Sequence, residues 1–398
     1  MALIRAQVAI VGGGMVGLAL ACSIAQRGRS VVVIEKSPAA KQIPEALQLR
    51  VSALNLAVQG WLERMNVWQR LPAERLGTYH AMNVWDRDQG GRIYFSAAEA
   101  DQTHLGTLIE NAVVEGALWQ HAEELGVKFI TGAEITAVEQ HEHDVELKLA
   151  GVEGEPTVLA QLLVAADGGR SQLRQLAALP VSFKDYEQMG VVATLRTEIE
   201  HQGIARQAFL PGGPLALLPM ADPNLISVVW SAPSLEANAL VALDQVAFEQ
   251  AITAHSDSCL GYLTLVSERQ AFPLRAQYAE QWVKGRLVLV GDAAHTIHPL
   301  AGQGANLGLG DAYVLAEHLN ELGTLQGQWD PAQLQRALKR YERARKTAAL
   351  RHLATMEGFH QLFRAQHPLL RVARATGLNL TNKSSAAKRF FLEQANAF

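Results

Sequence analysis

The chain has 398 residues, 49% of them hydrophobic, so it is longer than one ordinary domain and can bury a large core. Its net charge of −4 gives no reason to expect a nucleic acid partner. The two cysteines, Cys22 and Cys259, are far apart, which argues against a disulfide framework or a cysteine metal site and favours a reducing compartment. The sequence contains no run of 18 apolar residues, the length needed to span a membrane, so we expect a cytoplasmic protein.

The N-terminal stretch predicts a βαβ unit that binds a dinucleotide. The apolar run 7–11 predicts a strand, and Gly12, Gly14 and Gly17 follow it at the spacing of a phosphate-binding turn that opens a helix. A second apolar strand ends at Glu35, where a carboxylate can accept hydrogen bonds from ribose hydroxyls. Because the first strand already belongs to the fold, we expect no signal peptide.

The middle of the chain predicts alternating helices and strands, followed by a mainly β block. Expected helices lie at 51–65, 111–125 and 235–254, and expected strands at 79–86, 92–95, 158–166 and within 186–230. The strand at 158–166 runs into Asp167-Gly168. The block 179–270 is typical of a second domain inserted into the first, and the C-terminal third favours helices.

A second chemical signature follows the inserted block. The apolar run 286–290 predicts a short buried strand, which ends at Gly291-Asp292, and Gly302 and Gly304 then open a helix. Asp292 could accept hydrogen bonds from a sugar-like chain of hydroxyls, and free N–H groups at the helix start could hold partial negative charge. Taken alone, the segment could also be an ordinary strand–loop–helix crossover.

In this order, the three motifs resemble those of the group A flavoprotein monooxygenases, which share the para-hydroxybenzoate hydroxylase fold. The stretches 11–17, 50–53, 291–304 and 306–308 are similar to those of the UbiH/UbiF/UbiI family of ubiquinone-biosynthesis hydroxylases. The stretches 80–86, 104–106, 110–111 and 205–209 look most like the UbiI (VisC) branch.

The resemblance implies an α/β fold in which a mainly β substrate domain is inserted into a Rossmann-like FAD-binding domain, with a C-terminal helical segment. The implied bounds are 1–75, 105–178 and 271–345 for the FAD domain, 76–104 and 179–270 for the substrate domain, and 346–398 for the helical segment.

The resemblance also implies a set of cofactor contacts. Gly12, Gly14 and Gly17 would hold the FAD pyrophosphate, and Glu35 would bind the ribose. Arg50 would lie along the pyrophosphate or near the ring, Asn111 would make a polar contact with FAD, and Asp292 would bind the ribityl chain. The isoalloxazine would be bordered by the backbone from Pro299 through Gly302, Gly304 and Ala305 to Asn306. Asp167, with Arg170 or Arg174, would serve both FAD and the nicotinamide donor. Alternatives for single residues are a surface salt bridge for Arg50 and helix capping by Glu110 and Asn111.

The family's chemistry implies that NAD(P)H visits transiently to reduce FAD, and that a flavin C4a-hydroperoxide made with O2 attacks an electron-rich phenol. His298, beside Pro299 at the expected flavin edge, is the candidate base for the phenol proton, and His295 is a weaker one. Either histidine could instead be a structural hydrogen-bond donor. The expected substrate is a polyprenylated phenol or quinol.

Two further features bear on partners. Apolar residues of the β block suggest a substrate cavity, although they could equally face the core of the sheet: Phe209, Leu215, Leu217, Leu218, Val228 and Trp230.

Residues 331–398 hold 13 basic and 3 acidic residues, with Arg345, Lys346, Arg351 and Arg364 flanking an apolar stripe. These basic helices could contact the inner face of the membrane peripherally, or pack on the protein with a solvated basic face.

Three functions stay open from sequence alone. The leading one is a ring hydroxylase of ubiquinone biosynthesis, with homo-oligomers and contacts to other proteins of that pathway as further expectations. The second is a hydroxylase of a small soluble aromatic acid, for which Arg206 is the obvious anchor in the β block. The third is a flavin-bound scaffold that does not turn over.

Overall fold

The computed structural model describes residues 3–38, 41–87, 90–296, 304–324, 327–364 and 368–396, without the side chains of 356, 359–364 and 368–374. The strands are β1 (Leu3–Val11), β2 (Val31–Glu35), β3 (Val51–Leu54), β4 (Gly77–Tyr79), β5 (Ala81–Asp86), β6 (Arg92–Ser96), β7 (Gly106–Glu110), β8 (Lys128–Thr131), β9 (Glu134–Gln140), β10 (Val145–Ala150), β11 (Thr157–Ala165), β12 (Val181–Thr197), β13 (Ile204–Leu210), β14 (Gly213–Pro219), β15 (Leu225–Pro233), β16 (Leu263–Leu265), β17 (Gln270–Ala279), β18 (Val283–Lys284), β19 (Leu287–Leu289) and β20 (His295–Thr296). The helices are α1 (Met15–Ala25), α2 (Leu56–Arg64), α3 (Asn111–Glu124), α4 (Gln172–Leu176), α5 (Ser234–Ala242), α6 (Gln245–His255), α7 (Gly304–Asn320), α8 (Pro331–Arg364), α9 (Pro368–Lys383) and α10 (Ser385–Ala395).

The first sheet has the strand order β18-β19-β11-β1-β2-β8, and β10 and β9 extend it beside β11. β19, β11, β1, β2 and β8 run parallel. Their sequences are nearly continuous apolar runs because helices cover both faces of a parallel sheet. α1, α3 and α7 share its core, and nearly every residue of α1 is buried.

The second sheet has the order β20-β17-β12-β15-β14-β13-β5-β6, with β16 beside β12. It is mainly antiparallel, and α5 and α6 pack on one face to form a separate core. The other face includes Thr194 and looks toward the first sheet across a cavity. β20 follows β19 by only a few residues, so one short segment joins the two sheets.

The C-terminal helices pack against the second sheet and reach the first. The Arg92 N–H donates to Asn379 Oδ1 (3.1 Å) and the Tyr94 N–H donates to Asn382 Oδ1 (2.9 Å), which attaches α9 to β6. At the end of α10, the Ala395 carbonyl accepts from Asn55 Nδ2 (2.9 Å) beside α2. The predicted domain bounds stay a proposal, and these helices contact both parts.

The structure corrects two predicted elements. The helix expected at 51–65 begins only at Leu56, because residues 51–54 form β3 in a small sheet of order β3-β7-β4. The helix expected at 235–254 is divided into α5 and α6, since Asp244 caps a new start with its carboxylate on the Ala247 N–H (2.8 Å). Among the described residues, no helix combines the length and the apolar character needed to cross a bilayer.

Candidate functional site

Four sequence-predicted residues meet at one edge of the first sheet. β1, β2, β11 and β19 are parallel, so their carboxyl ends lie at the same edge. Gly12, Glu35, Asp167 and Asp292 stand at or just after these four strand ends. Ligands of open parallel sheets bind at this edge. The fold therefore brings motifs from distant parts of the chain together.

The three glycines of the first turn are glycine for different physical reasons. Gly12 has φ 109° and a Cβ there would overlap the carbonyl oxygen of Ala166, while a Cβ on Gly17 would overlap the carbonyl oxygen of Gly12. A Cβ on Gly14 would have Glu115 Oε1 as its nearest neighbour, at 3.8 Å, and the Gly14 backbone is extended. The protein itself thus requires the outer two glycines, whereas Gly14 leaves room for a ligand at the N-terminus of α1.

Glu35 is fixed by the same turn. Its Oε2 accepts the Gly13 N–H (2.6 Å) and its Oε1 accepts the Ser37 N–H (2.7 Å). A carboxylate oxygen can accept more than one hydrogen bond, so both oxygens keep capacity for a hydroxyl donor. This arrangement suits the ribose of a dinucleotide.

Asp167 carries an unused acceptor. Its Oδ2 accepts the Leu173 N–H (3.1 Å), whereas its Oδ1 is buried and has no hydrogen-bond partner in the described part of the chain. Burial raises the pKa of this carboxyl. A buried acceptor without a donor is costly, so a ligand hydroxyl at this place would be stabilising.

Asp292 lies in the Gly-Asp turn (Gly291–Ala293). Its side chain is solvent-accessible, yet enough protein surrounds it that desolvation raises the pKa of its carboxyl, against the charges of His295 and Arg50. Burial also raises the pKa of Glu115, which Arg50 again opposes. The Arg50 guanidinium therefore opposes the effect of burial on two acids, Asp292 in the Gly-Asp turn and Glu115 on α3.

A cavity of ≈720 Å³ opens between the two sheets. Its walls are residues 46–50, Asn111, Ala112 and Glu115 on one side and Thr194, residues 266–268 and Gln270 on the other. Arg50 lines this cavity and forms no ion pair among the described residues, so the alternative of a surface salt bridge is not observed. Asn111 Oδ1 accepts from Ser52 Oγ (2.7 Å), and Glu110, the residue before α3, makes no side-chain cap.

A buried ion pair holds the wall that carries Arg50. Arg75 pairs with Glu110 and donates through Nη1 to the Pro44 carbonyl (2.9 Å). Glu110 Oε1 accepts the Gln48 N–H (3.1 Å), and the Arg50 carbonyl accepts the Asn111 N–H (2.9 Å). Segment 44–50 is therefore fixed at several points rather than free to move.

Two side chains whose role was not predicted from the sequence connect the loops after β11 and β19. Gln277 Nε2 donates to the carbonyls of Gly169 (2.8 Å) and Asp292 (2.9 Å). Arg174 donates to the carbonyls of Ala293 and Gly169, both at 2.8 Å. Arg174 is buried in this role, so of the two arginines predicted for the nicotinamide donor only the exposed Arg170 stays available.

The start of α7 is described from Gly304. A Cβ on Gly304 would meet none of the described residues within 4 Å. Asn306 Oδ1 accepts the Asn55 N–H (3.1 Å) and its Nδ2 donates to the Ala53 carbonyl (2.8 Å), so only its backbone and that of Ala305 could border a ligand. His298, Pro299 and Gly302 lie outside the described residues.

Several predicted roles change. Leu215, Leu217, Val228 and Trp230 are buried in the core beneath α5 and α6, so they do not line a substrate cavity. Arg345, expected on a basic surface, is buried. His295 is also buried, with Nε2 bound to Asp311 Oδ2 (2.6 Å), which favours the structural alternative over a role as base. Asp311 was missed, although an acid within the apolar pattern of α7 is a detectable signal.

The chain belongs to the FAD binding domain family, which matches residues 5–355. It is 35% identical over 391 residues to the 3-demethoxyubiquinol 3-hydroxylase of Escherichia coli K12, with 98% of each chain covered. It is also 35% identical to the ubiquinone hydroxylase UbiL of Rhodospirillum rubrum, covering 98% of this chain and 89% of that one. The predicted kinship with the ubiquinone-biosynthesis hydroxylases and the predicted cofactor, FAD, are confirmed. The UbiI branch stays a prediction.

The fold is that of known flavin monooxygenases. The p-nitrophenol 4-monooxygenase PnpA of Pseudomonas putida DLL-E4 superposes with a TM-score of 0.79 at 19% identity, covering 100% of this chain and 99% of that one. At this identity the likeness concerns the fold alone, and it confirms the predicted architecture. The open space at Gly14 and the unpartnered oxygen of Asp167 fit FAD at this edge.

The glycine turn predicts a matched pair of variants. Gly14→Ala should leave the stability of the FAD-free protein unchanged and weaken FAD binding about tenfold or more, because the new methyl group would occupy the pyrophosphate's place. Gly17→Ala should lower the stability of the FAD-free protein by about 1–3 kcal/mol through overlap with Gly12. Calorimetric FAD titration and thermal melts separate the two. Gly60→Ala in α2 is the control, and equal FAD affinity for Gly14→Ala and this control would contradict the assignment.

Asp292→Ala should weaken FAD binding by one to two decades, since a carboxylate that accepts hydroxyl donors contributes about 1.5–3 kcal/mol. The measurement is quenching of flavin fluorescence on titration into FAD-free protein. Glu153→Ala, an exposed acid in the loop before β11 at the opposite edge of the first sheet, is the control. Identical affinities for wild type and Asp292→Ala would remove Asp292 from the site.

Proposed function

We propose that this protein is an FAD-dependent monooxygenase that hydroxylates the ring of a polyprenylated phenol or quinol in ubiquinone biosynthesis, with NAD(P)H as reductant and O2 as oxidant. The observation that carries the proposal is the meeting of Gly14, Glu35, Asp167 and Asp292 at one sheet edge, in a chain so similar over its full length to a 3-demethoxyubiquinol 3-hydroxylase. Within this class, the sequence favours an activity like that of a 2-polyprenylphenol 6-hydroxylase.

Each residue of the edge has a part in holding the cofactor. The N-terminus of α1 beside Gly14 receives the pyrophosphate, Glu35 the ribose, Asp167 and Asp292 the hydroxyl-bearing chain, and Arg50 the negative charge between them. Asn111, Gly304 and Ala305 complete the proposed contacts. Bound FAD supplies the redox chemistry, which is the transfer of an oxygen atom from O2 to an electron-rich ring. The protein orients the reactants and keeps water from them.

The substrate ring belongs between the two sheets, because the Gly-Asp turn sits where the first sheet passes into β20 of the second. A phenol is a better nucleophile once its proton is removed. His298 is the proposed acceptor of that proton, with Pro299 shaping the edge beside it; both are sequence-based assignments.

The enzyme assay is direct. Purified protein with FAD should oxidise NAD(P)H faster when a 2-polyprenylphenol is added, and mass spectrometry after reaction under ¹⁸O2 should find one labelled oxygen in the product. A labelled product from the prenylated phenol, with none from 4-hydroxybenzoate, supports the proposal. The reverse preference would make it a hydroxylase of small acids, and the absence of both phenol-stimulated NAD(P)H oxidation and labelled product would leave only a flavin-bound scaffold.

Peripheral contact with an anionic membrane is the proposed route for such a substrate. Leu380, Phe390 and Phe391 expose 63%, 57% and 40% of their surface on α9 and α10. These large apolar side chains are open to solvent on the two helices, and the segment from 331 onward carries the chain's basic excess. Aromatic side chains with basic residues nearby are typical of helices that lie in a membrane interface.

The membrane proposal predicts that Phe390→Ser with Phe391→Ser lowers affinity for anionic vesicles about tenfold or more, because an inserted phenylalanine contributes about 1.5–3 kcal/mol. Co-sedimentation with phosphatidylglycerol vesicles measures this, and high salt should weaken wild-type binding. Leu235→Ser on α5, where the leucine is 88% exposed, is the control. FAD content should stay normal. If wild type does not sediment with the vesicles, or both variants lose binding equally, the exposed pair does not face a membrane.

A further inference from the structure

A buried charged cluster lies directly behind the Gly-Asp turn. Asp311 of α7 accepts hydrogen bonds from His295 Nε2 of β20 (2.6 Å, at Oδ2) and from Arg345 Nε of α8 (2.7 Å, at Oδ1). The side chains of all three residues are at most 2% exposed. We call these three residues the Asp311 network. Three separate elements of the chain therefore converge on one carboxylate.

The Asp311 network is bonded to the turn itself. Asp311 Oδ2 also accepts the Gly291 N–H (3.0 Å), and Gly291 has φ 60°, a conformation that favours glycine. Gly291 is the residue before Asp292. On the other side of the turn, His295 begins the strand that pairs with β17. The carboxylate thus holds the turn at the residue before Asp292 and at the third residue after it.

The network is itself held rigidly. Arg345 Nη2 donates to the Leu307 carbonyl (3.0 Å), and the His295 ring lies 5.0 Å from the Trp282 ring. Burial alone would raise the pKa of Asp311, but His295 and Arg345 outweigh it and hold the pKa below its usual value. The carboxylate therefore keeps its charge and its three donors at neutral pH.

We propose that Asp311 is a positioning residue for FAD, which acts by fixing the Gly-Asp turn so that Asp292 is presented to the hydroxyl-bearing chain of the cofactor. The inference rests on the proposed flavin site and concerns how that site is held rather than what it binds. A fixed acceptor binds better than a mobile one, because the ordering of the turn is complete before the ligand arrives.

A structural role alone would give a different result in a double-mutant cycle. In Asp311→Asn one acceptor oxygen is lost, and the new amide N–H atoms face groups that are already donors. If Asp311 acts through Asp292, this variant should weaken FAD binding about tenfold, but change it by less than about threefold once Asp292 is alanine. If Asp311 only stabilises the fold, its effect on FAD affinity should be the same in both backgrounds.

The matched control is Glu249→Gln in α6, which packs on the second sheet. Glu249 is a buried carboxylate that also has three donors: Gln245 Nε2 (2.8 Å), the Tyr262 hydroxyl (3.0 Å) and the Leu265 N–H (2.9 Å). It lies in the other core, so Glu249→Gln should lower thermal stability without changing FAD affinity. An equal loss of FAD affinity in this control and in Asp311→Asn would overturn the proposal.

Two His295 variants test the same claim if Asp311→Asn does not fold. His295→Gln places an amide donor near the position of Nε2 and should keep FAD affinity within about threefold of wild type. His295→Phe removes the donor and should lose about tenfold. FAD titrations of folded protein decide the matter. Equal affinities for the two variants would overturn the positioning role, whereas no effect of Asp292→Ala in wild type would overturn the proposed site and this inference together.

Discussion

The structure depends on one short segment that belongs to both sheets. Residues 287–289 are the last parallel strand of the first sheet, and residues 295–296 are the edge strand of the second. The turn between them must therefore lie where the sheets meet, and it carries Asp292. Because the carboxyl ends of the parallel strands share that edge, the dinucleotide turn at Gly12 and the loop at Asp167 face the same place. The proposed position of the cofactor follows from this connection between the two sheets.

The groups that fix the segment between the two sheets are polar and buried. Asp311 fixes the turn from behind, Gln277 and Arg174 tie it to the loop after β11, and the Arg75–Glu110 pair fixes the wall that carries Arg50. A buried ion pair is a weak argument for stability, since desolvation offsets much of the attraction. Its directional hydrogen bonds instead define one geometry. That suits a site in which the protein's task is to orient a cofactor.

Local spacing made much of this site predictable. Gly12, Gly14, Gly17 and Glu35 lie within one βαβ unit, so the sequence alone defines their geometry, and the strand before Asp292 is a plain apolar run. The Asp311 network was not predictable in the same way, because its members come from β20, α7 and α8, and only tertiary packing brings them together. For the same reason Arg345 looked like surface charge. The helix expected at 51–65 was predicted to begin too early, because residues 51–54 form β3, which pairs with a strand more than 50 residues later; local periodicity does not report such pairing.

Several residues of the second sheet that were candidates for the substrate site have other roles in the structure. Four of the apolar residues first considered for the cavity serve the core beneath α5 and α6. Arg206, the candidate anchor for a small acid, donates through Nη1 to the carbonyls of His201 and Ile204, both at 2.9 Å. That nitrogen is engaged with the protein's own backbone, which weighs against Arg206 as the anchor of a carboxylate-bearing substrate.

The most direct test of the proposed cofactor site is a crystal structure of the protein with FAD bound. The pyrophosphate should lie at the N-terminus of α1 beside Gly14, and the Asp292 carboxylate within hydrogen-bond distance of the ribityl hydroxyls, with the Asp311 network unchanged behind it. A flavin bound away from this edge, or a ribityl chain that Asp292 does not contact, would contradict the proposed site.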